Sequence, residues 1–316
     1  MTAEEIAALF VPELEARRQA LATGGRLVHY TTAEAAYKII QGREVWLRNA
    51  SMMNDFSEIQ HGIDCLVAAW HSDAGVHLKE LLNRLKQGLC DEIASLFDSH
   101  TPALRLNIYI ISLSEHDDDE DKLGRLSMWR AYGKRAGVAL VLNNSAFVGT
   151  TDAMQVFSSP VSYFGVDAFR DWFSQWVARL GAAEAQLRAI PPDNVQALFL
   201  MVFRNFALCT KHPGFQEERE WRVFHSDSFE GQSEWIRTAV EVVGGLPQHV
   251  TKLSLHDNES KGIVGVAPAS LINRIIIGPC EHPLHVRVAI AGALKEAGVD
   301  DPLGRMWISF IPLRHG

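Results

Sequence analysis

The chain has no closely spaced cysteine pair. Its four cysteines, Cys65, Cys90, Cys209 and Cys280, lie far apart along 316 residues, which provides neither a C-x-x-C zinc half-site nor a disulfide framework and fits a reducing compartment. Long apolar runs are also missing. No stretch approaches the roughly 20 apolar residues that a bilayer crossing needs, and the opening MTAEEIAALFVPELEARRQALA has no basic start ahead of an apolar core. A soluble, cytoplasmic protein is the expectation. Basic charge is in deficit: 30 Lys and Arg against 38 Asp and Glu leave a net charge of -8, so a broad nucleic-acid surface is not expected, although a local basic patch is compatible with it. No GxSxG elbow, Walker loop, HExxH or GxGxxG occurs, and the hydrolase-triad, P-loop and Rossmann readings therefore have no motif behind them.

What is present suffices for a folded chain. Hydrophobic residues make up 47%, enough for one large core or two modest ones. Ile6, Phe10, Leu14 and Leu21 space short helices over residues 4–22, with Pro12 as a break or a start. RLVHY (26–30) reads as a strand, Thr32 as the cap of a helix that Gly42 stops, and EVWLRN (44–49) as a second strand. Leu78, Leu82, Leu85, Leu89, Ile93 and Leu96 predict one helical run over 76–98, and LRLNIYIISLSEH a central strand that ends in the acidic loop HDDDEDKLG, read as solvated. Beyond it come a helical turn at Ser127–Tyr132, a strand at Val138–Leu142, helices over 168–188 and NVQALFLMVFRNFALCT, strands at EWRVFHS, 235–242 and 272–277, and a closing helix from His285 to Ala297. No repeat or low-complexity linker interrupts this order. The expected architecture is a single α+β domain over 1–316, with a helical extension at 1–22 and helical insertions at about 56–98 and 168–208.

Four polar sets fall at element ends, where ligand-handling residues are commonly presented. His29, Tyr30 and Thr31 close the first strand; an imidazole there can hold a ribose hydroxyl while a phenol ring stacks on a planar heterocycle. Asn54, Asp55 and Glu58 fit either a hard-metal pair on one helical turn or, preferably, a capping box. In the third set Ser127 reads as an N-cap, and Arg130 beside Trp129 and Tyr132 suits phosphate or carboxylate recognition. In the fourth, Glu218 and Glu220 are two apart, so on a strand both carboxylates point to one face. Such a pair can orient a hydroxyl and stabilise positive charge on a sugar carbon.

The segments LVHYTT, MMNDFSE, SMWRAYG, KHPGFQEEREWRV and IIIGP together resemble an uncharacterised bacterial family described only as a domain of unknown function, over most of residues 26–280. More distantly, a His-Tyr first strand, a middle serine and a late ExE pair resemble the ADP-ribosyltransferase superfamily. That resemblance implies a split central sheet and NAD as the substrate that donates ADP-ribose. His29 would hold the nicotinamide ribose, Tyr30 would stack on nicotinamide, Glu220 would be the catalytic carboxylate and Glu218 would orient the acceptor. Arg130 or Arg222 would hold the diphosphate, and Ser112, Ser114 and Ser127 compete for the middle position. The acceptor, whether protein, nucleic acid or small molecule, is left open, as is the oligomeric state. Three rivals stand beside this: a non-catalytic nucleotide-binding or sensor module, a metal-dependent nuclease built on Asp55, Glu58, Glu218 and Glu220, and an interaction protein with an exposed apolar patch.

Overall fold

The computed structural model describes residues 3–53, 57–149 and 151–313, which form two compact units interleaved along the chain. The first comprises Met1–Arg18, Asn49–Ile108 and Ser159–Glu217, the second Gln19–Arg48, Tyr109–Ser158 and Glu218–Gly316. The helical insertions expected from the sequence thus supply most of a unit of their own.

The first unit is largely helical, with its longer helices at Ser57–Trp70, Asp73–Leu85, Leu89–Leu106, Val166–Ala182 and Pro192–Cys209. Trp176 is buried at its centre against Phe10, Phe173, Phe199 and Phe206, and its indole N–H donates to the Phe10 carbonyl at 2.7 Å. Such rings bury large areas and their N–H must be partnered. Leu78, Leu82, Leu89 and Ile93 are all in this core, but not on one helix. Gly88, at φ +82°, turns the chain into the left-handed region and splits the expected run into two helices. The second of these continues to Leu106, so the strand expected from Leu104 begins at Tyr109. A short apolar run does not by itself separate helix from strand.

The described residues form twelve strands: β1 (Arg26–Thr32), β2 (Glu44–Asn49), β3 (Tyr109–His116), β4 (Ala136–Leu142), β5 (Phe157–Pro160), β6 (Ser162–Tyr163), β7 (Thr210–Lys211), β8 (Glu220–His225), β9 (Ile236–Val243), β10 (Leu246–Ser254), β11 (Ile272–Cys280) and β12 (Met306–Ile308). β6 and β7 form a separate parallel pair in the first unit. The other ten make one mixed sheet in the order β12-β11-β4-β1-β3-β2-β10-β9, with β8 on β3 and β5 on β8. The fold is therefore α+β with helical insertions, as expected. β9 and β10 are joined by Gly244 and Gly245, at φ +61° and +85°, the two-residue turn whose twist suits a hairpin.

Alternation along the central strands sorts the two faces. Leu27, Leu113, Leu140, Leu142, Trp221 and Val223 join the main core of the second unit. Val28, Tyr30, Ala139, Val141 and Ile276 face the other way, into a smaller cluster with Met128 and Trp129. Thr32 caps the following helix as expected, its hydroxyl accepting from the Ala35 N–H at 3.2 Å.

Candidate functional site

β8 runs beside β3 with Ser114 opposite Glu220 and Ser112 opposite Arg222. Glu220 is 2% exposed and Arg222 0%. The Ser112 hydroxyl donates to Glu220 Oε1 at 2.6 Å, Arg222 Nε donates to the same oxygen at 2.9 Å and Arg222 Nη2 to Oε2 at 3.2 Å. Both carboxylate oxygens are thus engaged inside the sheet, and the fork geometry is the strong form of this interaction. A carboxylate so held is not aimed at a reacting sugar carbon. Arg222, wholly buried, is not at a surface where it would grip a diphosphate.

The register separates the other members of the expected site. Val28 pairs with Ser114, and Ser114 with Glu220, so these three share a face. His29, the next residue, is on the opposite one; β1 runs in unbroken register with β4 from Leu27 to Thr32, so no bulge re-aims it. His29 Nδ1 donates instead to the Ser112 carbonyl at 3.0 Å, next to the point where β1 leaves β3 after Val28. Thr31 lies on His29's face, opposite Val138. Tyr30 is on the face of Glu220 but belongs to the core. Its ring meets Trp129 edge to face, 4.9 Å between centroids, and its hydroxyl accepts from the Arg125 N–H at 2.9 Å; burial pushes the phenol up from its ordinary value. It offers no free face for a heterocycle. Glu218 does not continue the strand, because Arg219 takes φ +47° and breaks the alternation before β8 begins. Its carboxylate accepts from the Tyr132 hydroxyl at 3.1 Å. Asn54 and Asp55 lie outside the described residues, as does the side chain of Glu58. Among the described residues no group of three or more His, Cys, Asp or Glu is placed to hold a metal ion.

The acidic loop is not merely solvated. Residues Asp118–Asp121 form a 3-10 turn whose neighbourhood gathers four arginines: Arg26 reaches Asp118 at 2.5 Å and Asp121 at 2.9 Å, Arg125 reaches Glu120 at 2.9 Å, Arg274 reaches Asp121 at 3.2 Å, and Arg219 grips Asp117 with both terminal nitrogens. His116 lies buried between Glu120 and Asp121. Burial lowers its pKa more than the Asp121 hydrogen bond raises it; at His29 burial likewise outweighs the bond to Ser112. The unfolded imidazoles, titrating near 6.5, therefore take up protons before the folded ones. This stabilisation is complete above pH 6.5 and is lost as the pH falls through the folded values. The free energy of unfolding is expected to drop between pH 7 and 5, by at most about 1.4 kcal/mol per pH unit for each histidine. His116→Gln should flatten that slope; a slope unchanged in this variant would remove His116 from the account.

One set of cations has no such partner among the described residues. The helix Leu126–Tyr132 is capped by Arg125, not by Ser127, whose hydroxyl is buried without a hydrogen bond. Arg130, Lys134 and Arg135 are exposed at the end of this helix and in the turn after it, where Lys134 takes φ +44°, and none forms an ion pair among the described residues. Ser127 and Arg130, three apart, lie on one helical face. The carbonyl end of the helix favours positive charge, but no carboxylate among the described residues neutralises it. Arg130 and Ser127 were legible as binding candidates; Lys134 and Arg135 were not singled out, although three cations within RAYGKR in an acidic chain are a readable signal.

Residues 128–223 match the model of a family described as a protein of unknown function (DUF2971). This is a narrower span than the 26–280 over which the segments resemble such a family, and it takes in Arg130, Lys134, Arg135, Glu220 and Arg222. No curated protein and no solved structure matches the chain. The expectation of an ADP-ribosyltransferase, a glycosyl-group transferase acting on NAD, is overturned: the matched family carries no assigned activity, and the carboxylate on which that expectation rests is bound by Arg222 and Ser112.

Proposed function

We propose that the sheet-bearing unit is a non-catalytic sensor that binds a phosphate-bearing ligand of the nucleotide class through Arg130, Lys134 and Arg135. The observation that carries this reading is that these three exposed cations meet no carboxylate among the described residues, whereas Arg26, Arg125, Arg219, Arg222 and Arg274 each meet one. Clustered like charges raise the local potential and draw a multivalent anion, and guanidinium groups match phosphate oxygens in pairs. The metal-dependent nuclease reading has less behind it, because Glu218 and Glu220 serve different partners.

Calorimetric titration of the full chain with ATP, ADP and inorganic diphosphate tests the proposal. Binding that weakens with added salt and falls at least about tenfold in the Arg130→Ala, Lys134→Ala, Arg135→Ala triple variant is expected, with the nucleotide recovered unaltered. Equal affinity in the two proteins, or no binding by the wild type, would overturn it.

A further inference from the structure

β9 is the end strand of the sheet: it pairs with β10 and with no other strand among the described residues. Its register with β10 is continuous from Ile236 opposite Leu253 to Val243 opposite Leu246. An edge of this length is ordinarily blunted by a bulge, a proline or a lysine. The sequence IRTAVEVV has no bulge in its pairing with β10, no proline and no lysine, and its two charges, Arg237 and Glu241, are of opposite sign. Val240 and Val242 are 60% and 66% exposed. The other end of the sheet, β12, has only three residues.

The direction of the backbone groups follows from the turn. Val243 and Leu246 flank a two-residue loop and form a hydrogen-bonded pair, so pairs alternate from there. The Ser254 N–H bond to the Trp235 carbonyl, 2.8 Å, falls on the same alternation. The groups of Thr238, Val240 and Val242 therefore point away from β10, towards solvent. The side chains of β9 also carry a charge pattern that complements itself. If a second β9 runs antiparallel with Ala239 opposite Ala239, Thr238 and Val240 exchange backbone hydrogen bonds, and Arg237 stands opposite Glu241 twice by symmetry. That opposition falls at a non-hydrogen-bonded pair, where side chains approach most closely. Arg237 already reaches Glu44 at 2.8 Å and Glu241 meets Lys252, so the new pairs join existing ones into a network of alternating sign.

We infer that β9 is a homodimerisation edge, on which a second copy of this chain adds its own β9 antiparallel and centred on Ala239, extending the sheet across a two-fold axis. A single strand pair buries little area, so the dimer belongs to the weak, concentration-dependent class.

Sedimentation equilibrium of the full chain over about 1 to 500 µM tests it. The wild type is expected to pass from monomer to dimer in this range. Val240→Pro removes an outward N–H while sparing the β10 ladder; this variant is expected to stay monomeric with an unchanged circular dichroism spectrum. Arg237→Glu should weaken association about three- to tenfold, and Arg237→Glu with Glu241→Arg should recover part of it, because the exchanged charges face each other across the two-fold but meet Glu44 and Lys252 within their own chain. A wild type that remains monomeric throughout, a folded Val240→Pro protein that dimerises as the wild type does, or a double swap no tighter than the single one would each overturn the inference. Should Val240→Pro fail to fold, the charge-swap series decides.

Discussion

Arg222→Ala is expected to destabilise the sheet-bearing unit by about 3–5 kcal/mol, measured by denaturant unfolding of the full chain followed by a signal from this unit. Arg222 is fully buried and holds both oxygens of Glu220. Removing the guanidinium takes two hydrogen bonds away from a carboxylate that is shielded from water, while the Ser112 hydroxyl still donates to it. The penalty comes chiefly from that uncompensated charge rather than from the net worth of the pair. Replacing both residues, with Glu220→Leu and Arg222→Met, should therefore recover most of the loss. A catalytic carboxylate would behave differently: its conservative replacement would leave stability nearly unchanged. Glu220→Gln is expected instead to lose part of the stability, because one oxygen becomes an amide facing a buried guanidinium.

The second large effect centres on Trp129, which is 1% exposed and seated against three glycines. A Cβ on Gly124 would come within 2.7 Å of Trp129 Cζ2, one on Gly278 within 2.8 Å of Cε3, and one on Gly137 within 3.0 Å of Cε3. The indole N–H donates to the Leu123 carbonyl at 2.8 Å. Trp129→Ala should thus cost about 3–5 kcal/mol through lost burial and the cavity it leaves, while the Leu123 carbonyl keeps the Ser309 hydroxyl as a donor at 2.7 Å. Gly278→Ala should cost about 1–3 kcal/mol by overpacking. The two should not add: in the Trp129→Ala background the two ring contacts are gone and only the Gly137 carbonyl, at 3.1 Å, stays tight, and a thermal melt of the double variant should lie above the sum of the single losses. Strict additivity would show that the glycine and the ring do not share this space.

Much of the fold was readable because it depends on local patterning. The strands at 26–30, 44–49, 138–142 and 272–277 and the Thr32 cap lie where periodicity and propensity put them. β10 was missed although the Gly244–Gly245 turn announces a hairpin, because Pro247 and Gln248 dilute its apolar alternation. The 76–98 run was read as one helix because six apolar residues kept their spacing across Gly88, and a single glycine is outweighed in such a pattern.

The site was less legible because it turns on which face a residue occupies. His29 and Tyr30 are necessarily on opposite faces, but only the pairing of β1 with β3 and of β3 with β8 tells which of them joins Glu220. The ExE pair looked like two groups on one face; the left-handed Arg219 between them is invisible in composition, since arginine seldom takes that conformation. The acidic loop appeared solvated because its partners, Arg26, Arg125, Arg219 and Arg274, come from distant segments.

The most direct measurement is of the arginine side-chain Nε–Hε signals by NMR during a titration with ADP. Binding at the helix end predicts that the signals of Arg130 and Arg135 shift progressively with ligand while those of Arg222 and Arg26, locked in their ion pairs, stay in place. A titration that moves Arg222 and leaves Arg130 unmoved would place the ligand at the buried pair and contradict the account.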